Sequence, residues 1–339
     1  MNIAYYGISA ARSGGAIHEK MVLDALREEH TVVWHEIEKS KWIPGDFPSR
    51  FPYLWNHHPQ ADATIFNSGS LPLVNLKNHQ TKILFLHHYN PAAGRVKWIH
   101  RKYQERVLRL AQAVDLVVVL GEYWRAFFAS FPFKNIAVLY TPFDLRVTSE
   151  SLGDRINVRR ELGLPTDGRK LIYVGGVTKA KGADRIYDAL GKNEQYFLVG
   201  SGEKEPEIPI HCITGDYQTY LKLLFACDVS LCVSRLPEGW NRIAHESLLM
   251  STPVIGTGIA GSGELLVGAG QHLCYDLNKY EGAIRHVLEN REHYVKIAQP
   301  YIRQEKFTVP YFNKRCKNLI GDLGQKNVIS AAKSFTQHP

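Results

Sequence analysis

The sequence lacks three features that would each place a protein in a particular class. No run approaches the roughly 20 apolar residues that a helix needs to cross a bilayer, so no membrane-spanning segment is expected. The five cysteines are an odd number and form no Cys-x-x-Cys pair, which argues against a disulfide framework and favours a reducing, cytoplasmic setting. No Asp-x-Asp sequence occurs, so no acidic site for a metal-bound diphosphate is predicted.

The rest of the composition is that of a globular protein with an excess of basic residues. The 339 residues are 45% apolar and 22% charged, and this length suggests two domains. The net charge of +8 favours anionic partners such as phosphates or acidic lipid headgroups. The first seven residues lack a basic segment, and we expect them to form a buried strand rather than a signal peptide.

Short apolar runs alternate with helical patterns along both halves of the chain. Strands are predicted at 2–6, 31–35, 63–66, 82–87, 116–120, 136–140, 171–174, 196–199, 211–213, 229–233, 253–256 and 272–274. Helices are predicted at 18–27, 98–112, 122–129, 183–190, 217–226, 243–250, 280–290 and 310–323. This alternation predicts an α/β protein with two doubly wound parallel sheets, divided into 1–150, 151–309 and a last segment 310–339.

Two glutamates in the second half, Glu238 and Glu246, constrain the function most. Glu238 lies in a turn that follows the predicted strand 229–233, and Glu246 lies in the helix after it. Open α/β sheets bind ligands in the crevice at the carboxyl ends of their strands. Amides at a helix N-terminus suit a phosphate, and carboxylates accept hydrogen bonds from hydroxyls. The pair therefore favours a nucleotide-sugar, whereas two solvated surface glutamates are the alternative.

Five motifs in the same order resemble those of the family-four, retaining GT-B glycosyltransferases. The stretch 234–255 is similar to the donor-site signature of that family, with Glu238, Gly239 and Glu246 at its centre. The other four motifs lie at 140–144, at 173–182, at 199–202 with 213–215, and at 258–267. The resemblance extends over about residues 1–320 and is strongest after 170.

This resemblance implies a fold and an activity. The fold would be GT-B, with two Rossmann-like domains that face each other across a cleft, the donor in the second domain, and the last helix crossing back to the first. The activity would be transfer of a sugar from a nucleotide-sugar co-substrate to a sugar, lipid-linked or other acceptor. Transfer would retain the anomeric configuration and need no cofactor and no metal. A sugar-nucleotide epimerase and a nucleotide-binding protein without turnover are the alternatives.

The resemblance also implies roles in the donor site. Glu246 would accept hydrogen bonds from the ribose hydroxyls, Glu238 would face the donor sugar, and Lys181 would contact the diphosphate. Two positions depart from the family, because Gly176 stands where an arginine is expected and Asn241 where a glycine is expected. Arg242 could replace the missing arginine, since its planar guanidinium suits bidentate phosphate contact. The remaining donor-site residues would be Gly175, Gly215 and Gly239.

The first half contains two further candidates. Gly14 and Gly15 precede the predicted helix 18–27, where paired glycines can approach a phosphate or an acceptor, and a plain turn is the alternative. His87 and His88 end the predicted strand 82–87, where the resemblance implies a histidine near the reacting sugar. Because neighbours in a strand point to opposite faces, only one of the two can enter a site, and His87 is preferred.

The segment 95–110 interleaves basic and apolar side chains. Such a helix could rest on an anionic membrane surface, which would place the protein at the inner face of the membrane. A solvated basic face above a packed apolar face is the alternative. Nucleic-acid binding is not expected, because the sequence contains no recognition motif.

Overall fold

The computed structural model describes residues 1–7, 14–36, 61–71, 81–90, 97–202, 208–234 and 236–335. Contacts divide the chain into a first unit, Met1–Thr141 with Val309–Pro339, and a second unit, Pro142–Thr308. The sequence placed its first boundary at 150, so the segment 142–150 groups with the second unit in the structure. The last helix groups with the first unit although it follows the second in sequence.

The first unit is built on a parallel sheet in which six strands are described. These are β1 (Asn2–Gly7), β2 (Thr31–Glu36), β3 (Ala63–Asn67), β4 (Thr81–Phe85), β5 (Leu116–Val119) and β6 (Ile136–Val138). Their order is β2-β1-β3-β4-β5-β6, and every pair is parallel. The direction of winding reverses between β1 and β3, and such a reversal opens a crevice at the carboxyl ends of the strands.

Helices cover this sheet through apolar faces of helical period. They are α1 (Gly14–Arg27), α2 (Lys97–Ala111), α3 (Glu122–Phe128) and α11 (Val309–Phe335). Val22 and Leu26 of α1 and Phe312 and Ile320 of α11 are buried in one cluster with the apolar side chains of the strands. This shared cluster explains why α11 belongs to the first unit.

The second unit repeats the architecture with another parallel sheet. Its described strands are β7 (Lys170–Gly176), β8 (Tyr196–Ser201), β9 (His211–Ile213), β10 (Val229–Cys232), β11 (Val254–Gly256) and β12 (His272–Leu273). The order β12-β11-β10-β7-β8-β9 reverses direction between β7 and β10. The inner strands β10 and β11 are buried on both faces, as parallel strands between two helical layers are, whereas the edge strands β9 and β12 are only partly buried.

The helices of the second unit connect these strands. They are α4 (Arg155–Glu161), α5 (Ala183–Leu190), α6 (Tyr217–Ala226), α7 (Arg242–Leu249), α8 (Ala260–Gly268), α9 (Tyr280–Glu289) and α10 (Arg291–Ile302). A short 3₁₀ helix, Lys179–Lys181, precedes α5. None of the described helices in either unit is both long and apolar enough to cross a membrane.

Several element boundaries differ from the sequence prediction, and three of them concern predicted site residues or the last helix. Helix α1 begins at Gly14, so Gly14 and Gly15 are its first residues and not a loop before it; the first turn tolerates glycine because its amides lack helical partners in any case. Strand β4 ends at Phe85, so His87 and His88 lie beyond the strand. Helix α11 continues to Phe335 because the residues after 323 include good helix formers such as alanine, lysine and glutamine.

Candidate functional site

The winding reversal of the second sheet brings two loops together. The loop after β7 contains Lys181, the loop after β10 contains Glu238, and the two side chains form an ion pair. Gly182 has a φ of +81°, and a Cβ there would lie 2.7 Å from the carbonyl oxygen of Val233. Because glycine has no Cβ, it can adopt this backbone conformation and lets the loop after β7 lie directly against the loop after β10.

Helix α7 starts from a buried asparagine. The Oδ1 of Asn241 accepts a hydrogen bond from the amide of Ala244 at 3.0 Å, which is the bond of a helix N-cap. Its Nδ2 donates to Oγ of Ser262 in α8 at 3.0 Å. Both ends of the side-chain amide are therefore engaged within the protein. The asparagine that stands in place of the family's glycine caps the helix and joins it to α8.

Arg242 and Glu246 lie on one face of α7, as residues four apart in a helix do. Nη2 of Arg242 is 2.7 Å from Oε1 of Glu246, and the Glu246 side chain is only 4% exposed. Tyr217 donates to Oε1 at 3.1 Å, and Tyr220 donates to Oε2 at 2.9 Å. Burial raises the pKa of Tyr220 well above its usual value, and the nearby Glu246 adds to this shift. The tyrosine therefore stays protonated and able to donate.

One nitrogen of the Arg242 guanidinium, Nη1, is without a hydrogen-bond acceptor among the described residues. The guanidinium lies 5.0 Å from the centre of the Phe143 ring, a cation–π contact that fixes the plane of the group. Its Nη1 is buried. A buried donor without an acceptor is costly, so an acceptor oxygen brought to this nitrogen would relieve that cost.

The glycine-rich start of α8 supports the loop that carries Glu238. The amide of Gly261 donates to the carbonyl oxygen of Glu238 at 3.1 Å. A Cβ at Gly261 would lie only 1.9 Å from the carbonyl oxygen of Gly239. The absence of a side chain at 261 therefore permits the close approach that places Glu238 and Gly239.

The other glycines predicted for this site lie at the same edge of the sheet. Gly175 has a φ of +80° and lies at a shift in register between β7 and β8. A Cβ at Gly176 would meet no atom within 4 Å, so the position of the missing arginine is open space. Gly215 is exposed just before α6, where a Cβ would collide with Thr219 at 2.6 Å. Lys179 is exposed.

Sequence reasoning missed three side chains that surround these residues, namely Phe143, Tyr217 and Tyr220. Tyr217 and Tyr220 come soon after Gly215 of the motif 213–215, at the start of the helix predicted at 217–226. This adjacency was the available signal for the two tyrosines. Phe143 belongs to the motif 140–144, but its position under Arg242 depends on a contact over about 100 residues of sequence.

The first unit holds the remaining predicted residues at the carboxyl edge of its own sheet. Nε2 of His87 lies 3.3 Å from Nδ1 of His18, and a Cβ at Gly15 would be 3.5 Å from Nδ1 of His87. Gly15 and His87 are thus neighbours, Gly14 is exposed beside Gly15, and His88 is exposed. Within the described residues, no three His, Cys, Asp or Glu side chains are grouped closely enough to hold a metal ion.

Helix α2 presents the basic segment predicted at 95–110, of which residues 95 and 96 lie outside the described part. Trp98 is 64% exposed, and Arg101 and Lys102 are exposed as well. Val107 and Leu108 are buried and attach the helix to the unit. The helix has both the exposed basic face and the packed apolar face that the sequence indicated.

Comparisons with known proteins agree with this architecture. No protein-family model matches the chain. A segment of 123 residues, 34% of the chain, is 31% identical to a Bacillus subtilis (strain 168) protein named as a glycosyltransferase of teichuronic acid biosynthesis and covers 31% of it. A segment of 159 residues, 40% of the chain, is 24% identical to an uncharacterized glycosyltransferase of Methanocaldococcus jannaschii and covers 39% of it. The matches therefore span well under half of either relative.

The solved structures define the fold. Anabaena HepE in complex with UDP-glucose matches with a TM-score of 0.75 and 16% identity, over 95% of this chain and 100% of that one. The fold is GT-B. The resemblance to GT-B glycosyltransferases that the motifs predicted is confirmed, and so is the prediction of Rossmann-like, doubly wound units.

A buried histidine supports helix α7 in this GT-B fold. His245 of α7 stacks on Phe143 with ring centres 4.0 Å apart. Its Nε2 donates to the carbonyl oxygen of Ile302 at 3.0 Å, and its Nδ1 accepts from Trp240 at 3.4 Å. Burial lowers the pKa of His245 to about 3, although the bond to Ile302 opposes the shift. The imidazole is therefore neutral in the folded protein at neutral pH.

The lowered pKa of His245 predicts that the free energy of unfolding decreases in acid. A pKa of about 3 when folded, against roughly 6.5 when unfolded, means that the unfolded chain binds one more proton between these values. The stabilisation is complete above pH 6.5 and is lost as the pH falls from 6.5 towards 3. In urea titrations, His245→Gln should reduce the slope of unfolding free energy against pH by up to about 1.4 kcal/mol per pH unit.

The exposed His293 provides the matched control, and His293→Gln should keep the wild-type slope. An unchanged slope in His245→Gln would show that the buried imidazole does not titrate as its surroundings indicate.

Proposed function

We propose that this chain is a glycosyltransferase that binds a nucleotide-sugar in its second unit and transfers the sugar to an acceptor. The observation that carries this proposal is the grouping of Lys181, Glu238, Arg242 and Glu246 at the winding reversal of the second sheet. Such a reversal is the expected ligand position in an open α/β sheet. HepE, which shares the fold, binds UDP-glucose, and both curated relatives are named as glycosyltransferases.

Glu246 is the proposed acceptor for the ribose hydroxyls. Within the described part of the chain its Oε2 accepts one hydrogen bond, from Tyr220, and a carboxylate oxygen can accept more than one. Tyr217 is 49% exposed, so its hydroxyl can turn away from Oε1 without opening the core. The carboxylate can thus exchange a tyrosine for a vicinal diol while Arg242 and Tyr220 hold its orientation.

Lys181 and Arg242 are the proposed contacts of the diphosphate. Breaking the bond to the donor sugar builds negative charge on the leaving phosphate, and fixed cations stabilise that charge. The spare Nη1 of Arg242 can donate to a phosphate oxygen with no loss of the bond to Glu246. A phosphate would also draw Lys181 away from Glu238, which would break the ion pair between the two side chains.

The finer features of the reaction follow from this arrangement and from the resemblance. Retention of the anomeric configuration is the outcome that the family-four motifs imply. Charge compensation by Lys181 and Arg242 would make a bound metal unnecessary for the departure of the diphosphate. A sugar-nucleotide epimerase or a binding protein without turnover would use the same pocket, and product analysis separates these possibilities.

The nucleotide assignment predicts a loss of affinity in Glu246→Gln. The amide keeps the shape of the side chain but loses the charge that strengthens bonds from ribose hydroxyls, at a cost of about 1–3 kcal/mol. In isothermal titration with the preferred nucleoside diphosphate, the dissociation constant should rise by roughly 5- to 150-fold. The exposed Glu289 supplies the control, and Glu289→Gln should bind as the wild type does. Equal affinity in Glu246→Gln, with the fold intact, would remove Glu246 from the ribose site.

The phosphate assignment predicts a rescue. Arg242→Ala should lower turnover by about 10²-fold, as removal of one fixed donor does, and Lys181→Ala should do the same. Because Gly176 faces open space, Gly176→Arg in the Arg242→Ala background should recover at least part of the lost turnover. Lys179→Ala is the control, since that lysine is exposed, and its turnover should stay near wild type.

Steady-state kinetics on the four variants measures these effects. Full activity in Arg242→Ala together with loss of activity in Lys179→Ala would move the phosphate contact to the other lysine.

The proposed reaction itself is tested with the purified chain and a panel of UDP-, GDP- and ADP-sugars. One donor should raise the melting temperature, because a ligand at 100 times its dissociation constant adds about 2.7 kcal/mol. With sugar and lipid-linked acceptors, that donor should give a product with retained configuration, in EDTA as well as without it. Binding without transfer or hydrolysis would favour a non-catalytic protein, and conversion of the donor without an acceptor would favour an epimerase.

A further inference from the structure

A buried carboxylate occupies the winding reversal of the first sheet. Glu19 of α1 is 4% exposed and lies at the carboxyl ends of β1 and β3. Nδ2 of Asn67, the last residue of β3, donates to Oε1 of Glu19 at 2.9 Å. A Cβ at Gly7, the last residue of β1, would be 2.8 Å from Oε2 of Glu19. The two strand ends therefore enclose the carboxylate on both sides.

The Asn67 amide that binds this carboxylate is itself held in place. The backbone N–H of Ser70 donates to the side-chain Oδ1 of Asn67 at 2.8 Å, and the backbone N–H of Asn67 donates to Oγ of Ser70 at 2.8 Å. Oγ of Ser70 also donates to the carbonyl oxygen of Tyr6 at 3.0 Å. These bonds join the turn after β3 to β1 and give Glu19 a fixed orientation.

The side chains of His87 and His18 lie next to this carboxylate, one after the other. Nδ1 of His87 lies 4.0 Å from Oε1 of Glu19, which is within electrostatic reach but longer than a hydrogen bond. Nε2 of the same ring lies 3.3 Å from Nδ1 of His18, and the two rings meet edge to face at 84°. His18 is fully buried and packs against Phe85 and Phe312. The order of groups is carboxylate, first imidazole, second imidazole.

The order of these three groups determines which ring nitrogens of His87 and His18 carry a proton. Two facing ring nitrogens can share only one proton, because one must donate and the other accept. The negative charge of Glu19 favours a proton on Nδ1 of His87, so Nε2 becomes the acceptor and Nδ1 of His18 the donor. Burial and, to a smaller extent, the nearby His88 together lower the pKa of His87 to about 4, so the ring is neutral near pH 7.

We propose that Glu19 and His18 are positioning residues that hold His87 as a neutral imidazole with its proton on Nδ1, the nitrogen beside Gly15. A neutral N–H fixed at the carboxyl edge of the sheet can donate to an oxygen of a bound sugar without adding a charge. The proposal rests on the proposed transferase function, because it gives His87 a substrate to meet. It adds two residues of α1 that the motifs did not identify.

The test combines a spectroscopic readout with kinetics on the full chain. Long-range ¹H–¹⁵N spectra of histidine rings should show His87 with Nδ1 protonated in the wild type at pH 7. Glu19→Gln can keep the bond from Asn67 but removes the charge, and His18→Phe removes the donor to Nε2. Both variants should move the proton of His87 towards Nε2. Lys20→Gln, an exposed neighbour on α1, is the control and should leave the ring unchanged.

The kcat of transfer should depend on which ring nitrogen of His87 carries the proton. In Glu19→Gln and His18→Phe, kcat for transfer should fall by roughly 10- to 100-fold, as losses of orienting partners do, while the KM of the donor stays within about twofold. His18→Asn, whose side-chain amide can still donate, should recover part of the kcat that His18→Phe loses. A wild-type His87 with its proton on Nε2, or a tautomer that is unchanged in both variants, would overturn the proposal. The ring spectra need no substrate, so a chain without transfer activity would refute the proposed function and leave this result readable.

Discussion

The buried side chain of Asn241 makes the contacts on which the candidate site of the second unit depends. It caps α7 through Ala244 and donates to Ser262 in the first turn of α8, so one side-chain amide joins the starts of two helices. Loss of such a cap costs about 1 kcal/mol, and a buried amide left with half of its partners costs more. The cap fixes the direction of α7, and this direction sets Arg242 and Glu246 on the face that meets Tyr217 and Tyr220.

A buried carboxylate at each winding reversal follows the same physical rule. Removing Glu246 or Glu19 from water would cost several kcal/mol for an unpaired charge, so each is found with donors at fixed positions. Glu246 has an arginine and two tyrosines, whereas Glu19 has an asparagine and a nearby neutral imidazole. The three donors around Glu246 reach both of its carboxylate oxygens.

The sequence predicts the fold and the centre of the site because both rest on local patterns. The alternation of strands and helices, and the order of the motifs around Glu238 and Glu246, needed no knowledge of distant contacts. The cap role of Asn241 could not be predicted, since Ser262 lies 21 residues away. His18 and Glu19 were treated as ordinary residues of a helix because their partners, His87 and Asn67, are 69 and 48 residues away.

Hydrogen–deuterium exchange with and without the nucleoside diphosphate of the preferred donor tests the central claim most directly. If the diphosphate binds at the reversal between β7 and β10, amides in 174–182 and 234–246 should exchange at least several-fold more slowly when it is bound. Peptides from α2 and from α9, which the account places away from the nucleotide, should exchange at unchanged rates. Protection confined to peptides of the first unit, or no protection at a saturating concentration of every nucleoside diphosphate, would contradict the account.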